Sequence, residues 1–166
     1  MNRKAKILLI YASGVTCLLA LTYLLVWSHD VSLWQLSRSL TSVKHPPNTN
    51  RVAFMKNLGL LVANGNHSDY FVAEMRSYSS NLSPRAIERF YQGTNIWNPL
   101  NRRHERVSVG VIENGRIRSN EDLTEAGDFL KHYFKPFLPR TLTNQKIYFV
   151  FFLDVGNGTG CDIRCW

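Results

Sequence analysis

The apolar positions of this chain fall into three regimes. Residues 7–27, ILLIYASGVTCLLALTYLLVW, form a run of 21 residues without a charge. At about 1.5 Å of rise per residue, a helix of that length spans the roughly 30 Å hydrocarbon core of a bilayer. Residues 31–43, VSLWQLSRSLTSV, keep only Leu33, Leu36, Leu40 and Val43 at spacings of three and four, beside Trp34 and a Ser/Arg-rich remainder. That is one face of a short amphipathic helix. It must stop by His45-Pro46-Pro47, because proline cannot donate within a helix and restricts the residue before it. HPPNTN then reads as a linker, and a folded domain is expected from about Arg51.

Beyond Arg51 short apolar runs alternate with turn signals. Asn-Gly occurs at 64–65, 114–115 and 157–158. Both residues tolerate positive φ, which makes the pair a strong hairpin signal between apolar runs. The first joins LGLLVA (58–63) to DYFVAEM (69–75), the second joins RVSVGVIE (106–113) to RIR (116–118), and the third follows KIYFVFFLDV (146–155). In that last run Ile147, Phe149 and Phe151 alternate with Tyr148, Val150 and Phe152, so both faces are apolar and a central, doubly covered strand is predicted.

Two helices interrupt the strands. Around 83–93, Ser83 suits an N-cap, Pro84 the first helical position and Gly93 the end, with Ile87, Phe90 and Tyr91 as the buried stripe. Over 119–137, Ser119 and Asp122 make a capping-box pattern. There Glu121, Asp122 and Glu125 precede Lys131, His132 and Lys135 as the helix dipole favours, and Leu123, Ala126, Leu130, Tyr133 and Phe137 form the apolar face. The expected order is β-β-α-β-β-α-β, an α+β domain with an antiparallel or mixed sheet and two packed helices. The organisation is a basic flank (1–6), a transmembrane signal-anchor (7–27), a juxtamembrane helix and linker (28–50) and an extracytoplasmic domain (51–166).

Charge fixes the expected orientation. Arg3, Lys4 and Lys6 precede the apolar run, and no Lys or Arg follows it until Arg38, so the N-terminus is expected in the cytoplasm and the domain outside it. A bacterial inner membrane with the domain in the periplasm fits this layout. The run is too long for the core of a cleaved signal peptide, and Leu24-Leu25-Val26-Trp27 lacks a small-x-small site. Cys17 has no lipobox before it and reads as an inert residue of the span. The whole chain is +8, but residues 51–166 hold 15 Lys/Arg against 11 Asp/Glu, only +4. That is no nucleic-acid footprint. The leucine spacing of 31–43 leaves oligomerisation open but covers too few heptads to argue it.

Composition excludes several chemistries. No His lies in H-E-x-x-H, H-x-H or Cys/His zinc spacing, and no G-x-S-x-G elbow exists. Neither a metal nor a cofactor is expected. His67, Ser68 and Asp69 lie too close in sequence to converge as a triad. Asp154 and Asp162 flank the last turn and read as turn-bonding carboxylates. The aromatics of the C-terminal third read as core. Asn66, Asn81 and Asn157 start glycosylation sequons, a number that chance supplies in so Asn-rich a chain.

The remaining candidates are contacts. Trp97, in the polar stretch TNIWNPLNRR, and Arg102, Arg103 and Arg106 of the dense basic cluster before a strand suit a protein partner or lipid headgroups. The tail GNGTGCDIRCW places Cys161 and Cys165 outside the cytoplasm, where thiols oxidise. A fully extended 161–165 segment separates the two Cα atoms by roughly 13 Å. A disulfide needs less than about 7 Å. A bridge is expected, and it requires a turning tail. The spacing is not Cys-x-x-Cys, which disfavours redox catalysis. The functional expectation is a non-enzymatic, single-pass anchored protein whose outer domain binds a protein partner in an accessory, immunity or exclusion-type role. The alternatives are a small tethered hydrolase or transferase with scattered site residues, and an anchored thiol-disulfide protein.

Overall fold

The computed structural model describes residues 3–59, 68–79, 81–113, 116–119 and 146–158. Its first element, α1 (Arg3–Thr22), passes through one wide, π-type turn (Tyr23–Trp27) into α2 (Ser28–Thr41). Thr22, Trp27 and Ser28 all keep right-handed helical torsions, so the path is one unbroken helix. Nothing in α1 is buried; Leu8 and Ile10 are 73% and 70% exposed. Among the described residues α1 is the one helix long and apolar enough to cross a membrane. The hydroxyls of Thr16 and Thr22 donate to the carbonyls four residues back, at 2.9 Å each, which removes two polar groups from its surface.

The amphipathic spacing read in 31–43 forms as predicted. Leu33, Leu36 and Leu40 of α2 are buried in the core, and Val43 packs against it. This helix is part of the domain: burying each leucine contributes about 1.5–3 kcal/mol relative to exposure. Trp34 faces outward under the Arg38 guanidinium, 5.0 Å from its ring centroid.

The strands are β1 (Thr49–Gly59), β2 (Ser68–Tyr78), β3 (Asn95–Asn98), β4 (Arg103–Arg106), β5 (Ser108–Glu113), β6 (Arg116–Ser119) and β7 (Lys146–Gly158), with α3 (Pro84–Tyr91) between β2 and β3. Five of them make an antiparallel sheet in the order β1-β2-β7-β5-β6, and β3 and β4 form a separate hairpin. The molecule is thus an α+β fold behind an apolar N-terminal helix. β7 is central, as its two-sided apolar pattern implied. Tyr148, Val150 and Phe152 share one core with α2, α3 and Ile96, while Ile147, Phe149 and Phe151 share a second with Phe71, Ala73 and Met75. β5 and β6 pair antiparallel up to Glu113–Arg116, on either side of the Asn114-Gly115 signal, which lies outside the described residues. A cross-strand contact fixes one glycine: a Cβ on Gly110 would lie 2.1 Å from Cζ of Phe149.

Helix α3 starts as read. Ser83 is extended, its hydroxyl accepts from the Ala86 amide, and Pro84 opens the helix. Just past its end, Gly93 takes φ +82°. Ile87 and Tyr91 are buried, but Phe90 is 43% exposed and sits edge-on to Tyr91. An eight-residue helix shows the sheet a narrow face, and the i, i+4 pair fills it. Three further differences have local causes. β1 begins at Thr49, inside the expected linker, because β2 continues far enough to pair with it at Tyr78. The polar stretch around Trp97 forms the β3–β4 hairpin, two strands that the expected order lacks. The third Asn-Gly lies within β7, where Gly158 pairs with Ser68, so no turn forms there. Ser119, expected to cap the helix over 119–137, is the last residue of β6; the rest of that helix, His67, Asp162 and the pair Cys161 and Cys165 lie outside the described residues.

Candidate interaction surface and buried polar ring

The β3–β4 hairpin sorts its residues by strand alternation. Inward, Ile96 and Asn98 are buried. The Asn98 amide donates to Glu105 at 2.7 Å and to Asp154 at 2.6 Å, and its carbonyl accepts from the Leu100 amide at 3.0 Å. Asp154 is therefore a buried strand residue satisfied by a partner, not a turn carboxylate. Burial pushes the Glu105 carboxyl up, but hydrogen bonds from Asn98, Asn101 and Arg103 outweigh it and hold its pKa below the usual range. Outward, Trp97 lies edge-on to His104 across the ladder, ring centroids 5.5 Å apart, and remains 41% exposed.

Of the basic residues read as contacts, Arg102 sits in the hairpin turn at φ +51°, a region that favours Gly or Asn. Arg103 donates through Nε to Glu105 yet keeps a side chain 67% exposed. Arg106 is set apart from both. It faces a groove of about 400 Å³ whose other walls are Arg85, Glu88, Arg89 and Gln92 of the α3 region, with Tyr91 behind. The sequence reading did not single out Arg85 and Arg89. The signal was present: they stand at i, i+4 on a helix with no acid in its first turn. Like charges at that spacing destabilise a helix by about 0.2–0.5 kcal/mol. A cation at Arg85 also opposes the helix dipole, at about 0.3–1 kcal/mol. Among the described residues none of the three arginines is held in an ion pair within 4.0 Å.

A second constellation lies behind the groove. His45 Nδ1 is 2.7 Å from the Tyr91 hydroxyl, which is 3.1 Å from that of Tyr148. Tyr148 donates to Thr49 Oγ1 at 3.4 Å. Arg76 donates to that same oxygen at 3.1 Å and to Glu74 at 2.5 Å. Glu74 closes the ring on His45 Nε2 at 3.3 Å. The order carboxylate, imidazole, hydroxyl invites comparison with a nucleophilic relay, but the electrostatics oppose one. Burial, then the Tyr148 hydrogen bond, push the Tyr91 hydroxyl well above the ordinary tyrosine pKa. Burial lowers the His45 pKa, with Arg76 and Arg51 adding to the effect and Glu74 opposing it. A phenol held protonated and enclosed on both sides is a tie between the segment after α2, the sheet and α3. Near the other end of α2, His29 Nδ1 makes a hydrogen bond with the Tyr70 hydroxyl.

Among the described residues no three His, Cys, Asp or Glu side chains converge as metal ligands do. The site that emerges is a surface: an arginine-walled groove and, beside it, a hairpin bearing Trp97. No protein-family model matches the chain, and no curated protein or solved structure matches it significantly.

Proposed function

We propose that this chain is a single-pass membrane protein whose outer domain binds an acidic segment of a protein partner in the groove of Arg85, Arg89 and Arg106. The observation that carries the reading is that groove. Three arginines line it with only Glu88 as an acidic wall, an arrangement that costs stability in the free protein. Arginine forks bind carboxylates in a bidentate manner, which suits such a surface to Asp- and Glu-rich chain.

The anchor supports the reading. A bare apolar helix of 20 residues whose Thr16 and Thr22 hydroxyls bond internally suits lipid and not water. The basic flank supports an orientation with the N-terminus in the cytoplasm and the domain outside it. The groove opens beside Tyr91, which His45 ties to the far end of α2, and α2 measures about 21 Å at 1.5 Å per residue. That distance along α2 from the apolar helix favours a protein over the headgroups of the anchoring membrane for the Arg85–Arg89 wall. The test is photo-crosslinking from position 92, an uncharged wall of the groove, in native membranes. One stoichiometric, acid-rich product, lost in Arg85→Ala/Arg89→Ala, is expected. Diffuse labelling that ignores those substitutions rejects the groove as a docking site.

A further inference from the structure

The tip of the β3–β4 hairpin lies at the end of the domain where α2 begins. Trp27 ends the apolar run, and His29 follows two residues later, about 3 Å further along the helix. His29 bonds to Tyr70, and Tyr70 is paired with Asp154 across β2 and β7. Asp154 accepts from Asn98, and Asn98–Arg103 is the last pair before the hairpin turn. Each link is a direct contact or a strand pairing, so the turn lies at the same end of the domain as His29, which on the proposed anchoring faces the membrane. The layer there is headgroup, about 5–7 Å deep on each side of the core.

We infer that this tip is a second membrane contact, with Trp97 in the interfacial layer and Arg102 and Arg103 on lipid phosphates. The inference rests on the proposed anchoring of α1. The chemistry fits the place: tryptophan is enriched at membrane interfaces, and guanidinium forks bind phosphate. Trp97 is partly exposed and the Arg103 side chain largely so. Arg102 holds a long cation at φ +51°, where Gly is the relaxed choice, so the side chain is kept at the expense of the backbone. The contact uses a surface separate from the arginine groove and leaves Arg85 and Arg89 free for a partner.

The test is fluorescence quenching of the full chain in vesicles of lipids brominated near the headgroup end, either phosphatidylcholine alone or mixed with phosphatidylglycerol. Two single-tryptophan chains are compared, one keeping Trp97 and one keeping Trp27, the other tryptophans being replaced by Phe. Trp27 reports the anchor. The expected result is quenching of both, with Trp97 emission cut about two-fold in the anionic mixture and recovering as salt rises past the screening range of surface charges. Arg102→Gly relaxes the turn and removes the charge. It should keep or raise the melting temperature while weakening the quenching of Trp97, a pair of results that misfolding does not produce. Quenching of Trp27 without Trp97 overturns the tip contact and leaves the anchor standing. Quenching of neither overturns the anchor and the tip contact with it. Quenching of Trp97 that ignores both lipid charge and Arg102→Gly overturns the role given to the arginines.

Discussion

The ring of Phe149 lies across Gly110 on the neighbouring strand, so close that a β-carbon there would stand 2.1 Å from the ring's far edge. The two residues are directly paired between β5 and β7. The aromatic covers the bare backbone and closes that face of the sheet over it. Gly110→Ala must therefore displace a fully buried ring at the centre of the molecule. The expected loss is about 1–3 kcal/mol, the usual cost of overpacking a core. Thermal unfolding checks it. A pairing of Gly110→Ala with Phe149→Leu should recover part of the loss, which distinguishes the clash from a general intolerance at position 110.

The ring through His45 predicts acid lability. Burial lowers the folded-state pKa of His45 below its unfolded value of about 6.5. The unfolded chain then binds the proton first, so stability is fully present above about pH 6.5 and falls as the pH drops from there towards the folded pKa. Chemical denaturation between pH 8 and 5 should show this slope, and His45→Gln should flatten it. Glu105, whose folded pKa is lowered, adds a separate loss only below its unfolded value of 4.5, outside that range. An unchanged slope in His45→Gln would assign the lability to another group.

The leucines of α2 predict where the domain starts. Leu36 is completely buried and Leu40 nearly so. Leu36→Ala should cost about 2–5 kcal/mol. A chain beginning at residue 51 lacks α2 and His45 and should give a poorly dispersed amide spectrum, whereas one beginning at residue 28 should fold. Equal dispersion in both would reduce α2 to a tether.

The groove predicts a trade between stability and binding. Removing a cation from the first turn of α3 by Arg85→Ala should raise stability by about 0.3–1 kcal/mol. The same change should weaken the crosslink to the acidic partner. A variant that loses stability and binding together would instead give Arg85 a structural role.

Much of the scaffold was legible because its signals are local or periodic. The Ser83-Pro84 start of α3, the antiparallel pairing of β5 with β6 and the two-sided strand at 146–155 each depend on residues adjacent in sequence. What escaped depends on partners far along the chain. Asp154 looks like a turn carboxylate until Asn98, 56 residues away, is placed beside it. His45 sat in an apparent linker, yet it meets Tyr91 from 46 residues off and Glu74 across the first core. Arg106 was picked out as a member of a dense basic run. Its companions in space are Arg85 and Arg89, which no spacing rule connects to it.

The wide turn at Tyr23–Trp27 joins α1 to α2 without a break in helical torsion. On the proposed anchoring, the domain stands on a post and not on a leash. Its height above the bilayer is set by the helix, and its facing direction by the way that turn rotates α2 relative to α1. A partner must then bring its acidic segment to a fixed level and a fixed side, which narrows the choice to proteins that already occupy that layer of the cell envelope.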